Sequence, residues 1–328
     1  MFRIIPFLIF LILLLFLGCE EDSNPVNPDT QLVFNDTIPF NLFDTGLICF
    51  ERISADGNKS GVCIIDINNH KTRAISGLIL TPVISHDGNK IAYSGSTGDY
   101  KLLYDIFIMN SDGSGNSNIS NVNGNDSYPS WSADSKNIFY LNFYGNATTL
   151  YERNKNIIYQ TSHGPQTPFS LFEPKGMVFY NGVTGANPVI YLLNTATGSI
   201  STLCSAIGNG DLYTPRWSPD GNQVVFVQVK KQTINNETTD IGGIIQVYNF
   251  TSGVVNIIYE WSCDKHINWI GGNELSVCWS PDGTKLLFNR TGNGLESHIF
   301  IVNNDGSELK QITNEPGVCD RSVSWSKQ

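Results

Sequence analysis

The sequence predicts an all-β fold made of repeated four-stranded units, on three observations. Trp-Ser-Pro-Asp-Gly occurs twice intact and several more times in degraded form. Each copy is followed by an apolar run of four or five residues, short enough for a strand. Composition favours turns over helices, with 30 Gly and 14 Pro against only 3 Met. Charged residues make up 15% of the chain, below the roughly 25% usual in soluble domains, so uncharged polar groups must cover the surface. A net charge of −10 leaves no basic footprint for nucleic acid. An apolar fraction of 41% excludes a wholly disordered chain.

The amino terminus carries a targeting pattern. Arg3 precedes an apolar run from Ile4 to Leu17, interrupted only by Pro6. That run is shorter than the about 20 residues a membrane-spanning helix needs, and residues 1–18 read as a signal peptide. It ends in Leu15-Phe16-Leu17-Gly18-Cys19, which resembles the lipobox of bacterial lipoproteins, with Phe16 where that family usually has Leu. The resemblance implies lipidation of Cys19 after cleavage, and an ordinary secretory signal is the alternative. Residues 19–42 are expected to be the lipidated cysteine and a flexible acidic tether. Glu20-Glu21-Asp22 resembles the acidic signal that sends some lipoproteins to the outer surface. The expected location is therefore the cell envelope, with a lipid anchor in the outer membrane on its periplasmic side or at the cell surface.

Beyond Cys19 there are six cysteines, Cys49, Cys63, Cys204, Cys263, Cys278 and Cys319. An even number in an oxidising compartment permits disulfides, but spacing does not choose among 15 pairings. Cys49 and Cys63 flank a glycine-containing loop and could bridge across a hairpin. Buried free thiols are the alternative. No cysteine or histidine spacing marks a zinc site, and no metal or other cofactor is expected.

Residues 43–328 are governed by the repeat. Its copies are Thr81-Pro-Val-Ile-Ser-His-Asp-Gly88, Tyr128-Pro-Ser-Trp-Ser-Ala-Asp134, a degenerate Thr167-Pro-Phe-Ser-Leu171, Thr214-Pro-Arg-Trp-Ser-Pro-Asp-Gly221 and Val277-Cys-Trp-Ser-Pro-Asp-Gly283. With the terminal Trp325-Ser326, the motif serine or its equivalent falls at 85, 132, 171, 218, 280 and 326. Each unit reads as four strands. The first ends in Trp-Ser, and Pro-Asp-Gly makes a tight turn, with proline presetting φ and glycine accepting positive φ. Apolar second and third strands follow, such as Val224–Val227 and Ile299–Val302. A second Asp-Gly turn, as at Asp305-Gly306, leads to a short polar fourth strand. Units of this kind cannot bury both faces alone and stack into a β-propeller.

Trp-Ser-Pro-Asp-Gly, an apolar strand, then Ile299-Phe-Ile-Val-Asn-Asn-Asp-Gly-Ser307 together resemble the propeller repeat of the TolB family. The propeller halves of prolyl oligopeptidases carry the same Pro-Asp repeat. The resemblance implies a six-bladed β-propeller of four-stranded antiparallel blades. Residues 43–77 offer three strand-like segments without a first strand, and Arg321–Ser326 is a first strand with no blade after it. Pairing the two would close the ring with the C-terminal strand and remove both open edges. Seven blades would require strands within residues 20–42.

Few residues carry a chemical signal. Trp131, Trp217, Trp279 and Trp325 share one repeat position, as do Asp87, Asp134, Asp220 and Asp282, so packing and turn formation account for them. His86 takes the proline slot of one turn. Asn123–Asp126 fails the calcium-loop pattern. No nucleophile elbow, zinc-protease helix or phosphate loop is present. The peptidase machinery that prolyl oligopeptidases carry in a separate α/β domain is not expected here. The richest mixture of aromatic and ionisable groups is Trp261, Asp264, His266 and Trp269, in a loop between units, and His163 falls in another such loop. These are the candidate partner-binding residues. The expected function is a monomeric, non-enzymatic module that binds a protein, peptide or envelope ligand. The alternatives are a propeller enzyme, a glycan lyase or hydrolase, with three or more ionisable groups converging at the channel mouth, and a scaffold subunit of a surface complex.

Overall fold

The computed structural model describes residues 32–327, except 97–103, 121–122, 146, 154–155, 162–168, 173–174, 181–188, 208–209, 235–236, 264–274 and 292–295. Cys19, His163, Asp264, His266 and Trp269 lie outside the described residues.

A meander of β1 (Leu47–Ser54), β2 (Ser60–Asp66) and β3 (Lys71–Ser76) comes first. Four separate four-stranded antiparallel sheets follow. One is β4 (Leu80–Ile84), β5 (Lys90–Ser96), β6 (Tyr104–Asn110) and β7 (Ser117–Asn118). The next is β8 (Asn125–Trp131), β9 (Ile138–Tyr144), β10 (Ala147–Glu152) and β11 (Ile157–Thr161). The third contains β12 (Ser170–Phe172), β13 (Gly176–Tyr180), β14 (Val189–Leu193) and β15 (Ile200–Ser205). The fourth contains β16 (Leu212–Trp217), β17 (Gln223–Ile234), β18 (Glu237–Asn249) and β19 (Val254–Ser262). The chain ends with β20 (Val277–Trp279), β21 (Lys285–Thr291), β22 (Ser297–Asn303), β23 (Lys310–Gln311) and β24 (Val318–Trp325).

β24 pairs antiparallel with β1, from Ser54↔Val318 to Ile48↔Trp325. One parallel pair, Ser297↔Cys319, ties β22 to β24. That bridge merges β20–β23 with β24–β1–β2–β3 into a single eight-stranded sheet. The sequence predicts six separate units, and the structure has four separate sheets plus this merged one.

Alternation along the strands explains why the sheets stack. On β17, Val224, Val225, Phe226 and Val227 are all fully buried. Val224 and Phe226 pack with Val178, Ile190 and Leu212 on one side. Val225 and Val227 pack with Leu286 and Phe288 on the other. Successive side chains of a strand point to opposite faces, so each sheet is covered by both neighbours, and burying each such side chain is worth about 1.5–3 kcal/mol. The insertion expected at 230–240 extends the hairpin of β17 and β18, paired out to Ile234↔Glu237.

One expectation needs correction, and one open alternative is decided. The flexible tether was expected to run to residue 42, yet Leu32, Ile38 and Phe43 are buried against Ile48, Phe50, Ile65 and Trp325. Within that segment Phe40–Leu42 forms a 3₁₀ turn, and the N–H of Leu32 donates to Ser76 Oγ at 2.8 Å. The hydrophobic residues interspersed among Asn and Pro supply this packing. A Cys49–Cys63 bridge is also absent, and both thiols are free and buried. Cys49 faces Ile64 across the hairpin while Phe50 faces Cys63. This one-residue offset puts the two sulfurs on opposite sides of the sheet.

Candidate functional site

The first strands β4, β8, β12, β16, β20 and β24 line a central channel. Its walls are set by the repeated turn. In Ser-x-Asp-Gly the serine hydroxyl donates to the aspartate and accepts a backbone N–H five residues on. Ser85 Oγ thus lies 2.6 Å from Asp87 Oδ1 and 3.0 Å from the N of Lys90. Ser132 with Asp134, Ser218 with Asp220 and Ser280 with Asp282 repeat the arrangement. The Ser132 hydroxyl and the N–H of Lys136 hold the Asp134 carboxyl below its ordinary value. These aspartates are structural acceptors occupied by their own turns.

The motif tryptophans are fastened in a similar way. Trp131 Nε1 donates to Val83 O of the preceding first strand at 3.1 Å, and Trp279 Nε1 to Arg216 O at 3.2 Å. Trp217 Nε1 reaches Gly176 O at 3.2 Å and Trp325 Nε1 reaches Thr45 O at 3.0 Å. Each indole joins its strand to a neighbouring element, as expected for residues at a repeated position.

Four residues before the motif serine the first strands share a further feature. Thr81, Tyr128, Thr214 and Ser322 have positive φ, between 43° and 59°. Register shifts in the ladders mark bulges at these points. Non-glycine residues in this region store strain. A proline follows three of the four, and a bulge accommodates proline because the extra residue needs no ladder N–H. The Thr-Pro and Tyr-Pro dipeptides of the repeat are therefore bulge residues, and they line the loop end of the channel with Pro82, Pro129 and Ser276.

The turn end is wider, a cavity of about 300 Å³. The residues just after the motif serine, His86, Ala133, Pro219, Pro281 and Lys327, stand around its mouth. His86 and Lys327 are adjacent, because the N–H of Lys327 donates to His86 O at 3.0 Å. Crowding around the His86 ring holds its imidazole below its usual value, against the opposing pull of Asp87. Arg216 borders both cavities, as do Val83, Pro129 and Val323. Its Nη1 donates to Phe169 O at 2.9 Å.

Trp261, the one described member of the predicted contact set, is not on a rim. It is 3% exposed and packs with Tyr259 and Phe288, ring centroids 6.1 and 5.7 Å away. It also sits over Gly243, where a Cβ would meet the indole at 2.3 Å. Trp261 is thus core between two sheets and can only anchor the loop that follows it. Arg216 was missed because it occupies an ordinary slot of the repeat, next to Pro215. Among the described residues no three His, Cys, Asp or Glu side chains are grouped to hold a metal ion.

No family model matches the chain. It is 26% identical over 257 residues to the Tol-Pal system protein TolB of Francisella tularensis, covering 76% of this chain and 54% of that protein. The chain therefore spans about half the length of the curated relatives it matches. A crystal structure of TolB from Acinetobacter baumannii superposes with a TM-score of 0.64 at 18% identity, over 86% of this chain and 66% of that one. The fold is a TolB-like β-propeller. A chain of the nidogen/laminin complex has the same kind of fold, with a TM-score of 0.58 at 9% identity over 86% of this chain and 100% of that one. In the TolB-like propeller described here, the repeat residues account for strands, turns and staples, and they leave the two channel ends as the places where side chains vary.

Proposed function

We propose that this TolB-like propeller is a non-enzymatic binding module of the bacterial cell envelope, lipid-anchored through Cys19, whose loop end engages a protein partner. The observation that carries this reading is the likeness to TolB in both sequence and fold, the sequence relative being named a Tol-Pal system protein. The contact surface on this reading is the loop that holds Asp264, His266 and Trp269 and follows the buried Trp261 in the chain, with His163, in another inter-blade loop, as a further candidate.

The same reading takes the ring as six blades closed by the C-terminal strand. Hydrogen bonds between successive first strands support it. Trp217 N donates to Ser170 Oγ at 3.3 Å, Val323 N to Ser276 Oγ at 3.1 Å, and Ile84 N to Ser324 Oγ at 3.2 Å. These link β12 with β16, β20 with β24, and β24 with β4.

A mild-detergent pull-down of the lipidated protein, read by mass spectrometry, tests the function. Replacing residues 264–270 with a Gly/Ser linker of equal length should remove the partner while leaving the melting temperature within a few degrees. Retention of every captured protein by that variant would end the loop assignment.

A further inference from the structure

At the turn end of the channel, opposite the loop end, the structure assigns a second ligand site: a pocket for a carboxylate group carried on a slim apolar body. Four observations lead there. Its volume, about 300 Å³, is at the lower end of the range for small-molecule sites, enough for a short acid or one terminal residue of a peptide. The described residues that line it include two cationic side chains, Arg216 at the floor and Lys327 at the mouth, with His86 beside Lys327, and no carboxylate. That local sign is opposite to the chain's net charge of −10.

Neutral donors complete the set. Ser170 and Ser324 both line the cavity. Their hydroxyl oxygens accept the N–H groups of Trp217 and Ile84 at 3.3 and 3.2 Å, which leaves each O–H proton to donate inward. Apart from Ser130 and the motif serines Ser218 and Ser280, the rest of the wall is apolar, with Val83, Ile84, Trp131, Trp279 and Val323 among its members. The nearest turn carboxylates are held by their own serines, and Asp44 and Asp282 belong to a neighbouring groove that shares Lys327 and Trp325. A guanidinium and two hydroxyls in a low-dielectric recess suit a planar carboxylate. Apolar walls suit the chain that carries it, and Pro219 and Pro281 stand at the mouth.

Two sources present this chemistry, a free carboxylic acid and the C-terminal carboxylate of a peptide. Titration calorimetry on the full chain separates them. The first arm uses hexanoate, hexanamide and hexanol, and the second uses Gly-Gly-Ala-Leu with a free or an amidated C-terminus. Hexanoate is expected to bind at least about tenfold more tightly than hexanamide or hexanol, because charge-assisted hydrogen bonds are about twice as strong as neutral ones. A free peptide terminus that outbinds hexanoate identifies a peptide end as the source, and weaker peptide binding identifies a free acid.

Arg216→Gln should weaken hexanoate about tenfold, and Lys327→Gln about threefold, without changing hexanol. If Arg216→Gln fails to fold, Lys327→Gln and Ser324→Ala carry the test, since Lys327 is exposed. Equal binding of hexanoate and hexanol, or hexanoate affinity unchanged in these variants, would overturn the assignment. So would binding of neither probe. The loop replacement that tests partner binding leaves this pocket untouched, so the two results are read separately.

Discussion

Two places where strands meet illustrate different solutions to one problem. In the sheet of β16–β19, Gln228 and Gln246 are fully buried and joined by an amide hydrogen bond of 2.7 Å. Gln246 also accepts the N–H of Ile207 at 2.8 Å. Where β24 meets β1, the corresponding slot, two residues past the aromatic of the second strand, holds Arg52. Its guanidinium is fully buried and bidentate to Asp320, at 2.6 and 2.8 Å. It also contacts Glu315 at 2.6 Å and Asp36 at 2.7 Å. Arg321 pairs with Glu51 at 2.8 Å alongside.

The amide pair joins residues 18 apart in sequence, whereas Arg52 and Asp320 are 268 apart. A hairpin neighbour is kept close by the chain itself, so a neutral contact suffices. Two ends of a long chain have no such help, and buried charges penalise every wrong register because each would be left unpaired. The seam is where specificity is concentrated.

The largest test of that contrast is removal of residues 318–328. It would strip β1 of its partner, uncover Ile48 and Phe50, which pack with Val323 and Trp325, and open two edges. We expect loss of the cooperative thermal transition in circular dichroism, and a melt close to wild type would refute the seam's role. Next comes Arg52→Ala, which leaves Asp320 and Asp36 buried without a counter-charge and should cost about 3–5 kcal/mol in a denaturant titration. Gln228→Ala, which strands only an amide, should cost about 1–3 kcal/mol. Equal costs would erase the distinction between the two regions.

The smallest effect belongs to the exposed turns. The Ser54 hydroxyl and the N–H and side chain of Asn58 hold the Asp56 carboxyl down to about 2, and Asp134 and Asp220 are also lowered by their serines. The unfolded chain, with carboxyls near about 3.9, binds more protons than the native state between those values. Stability from the turns is therefore complete above about pH 4 and is lost as pH falls toward 2. Denaturant midpoints measured across that interval should decline, and Asp134→Asn should make the decline shallower.

Much of the fold was legible because the repeat is written in local chemistry. Ser-Pro-Asp-Gly forms its turn from contacts within five residues, and runs such as Val224–Val227 announce a strand covered on both sides. The three segments before residue 77 were readable for the same reason. The seam's ion cluster was not, because Arg52, Asp36, Glu315 and Asp320 lie on segments far apart in sequence and none follows a repeat. Arg216 escaped notice because a repeat slot hides a side chain that faces the channel. The choice between a Cys49–Cys63 bridge and free thiols turned on a one-residue register offset, which only the ladder defines. The packing of Leu32 to Phe43 was masked by Asn and Pro.

The free thiols have a consequence for how the chain matures. Burial pushes Cys204 and Cys278 up to about 12, which disfavours the thiolate at neutral pH and suppresses reactivity. Cys49 and Cys63 are also raised well above the usual thiol value by the same cause. Once folded, these four buried thiols are insulated from the redox poise around them. Before folding, the same sulfurs are exposed and reactive, so in an oxidising compartment productive folding becomes a race against mispairing. Slow-folding variants should betray themselves first as disulfide-linked oligomers, well before any loss of native stability can be measured.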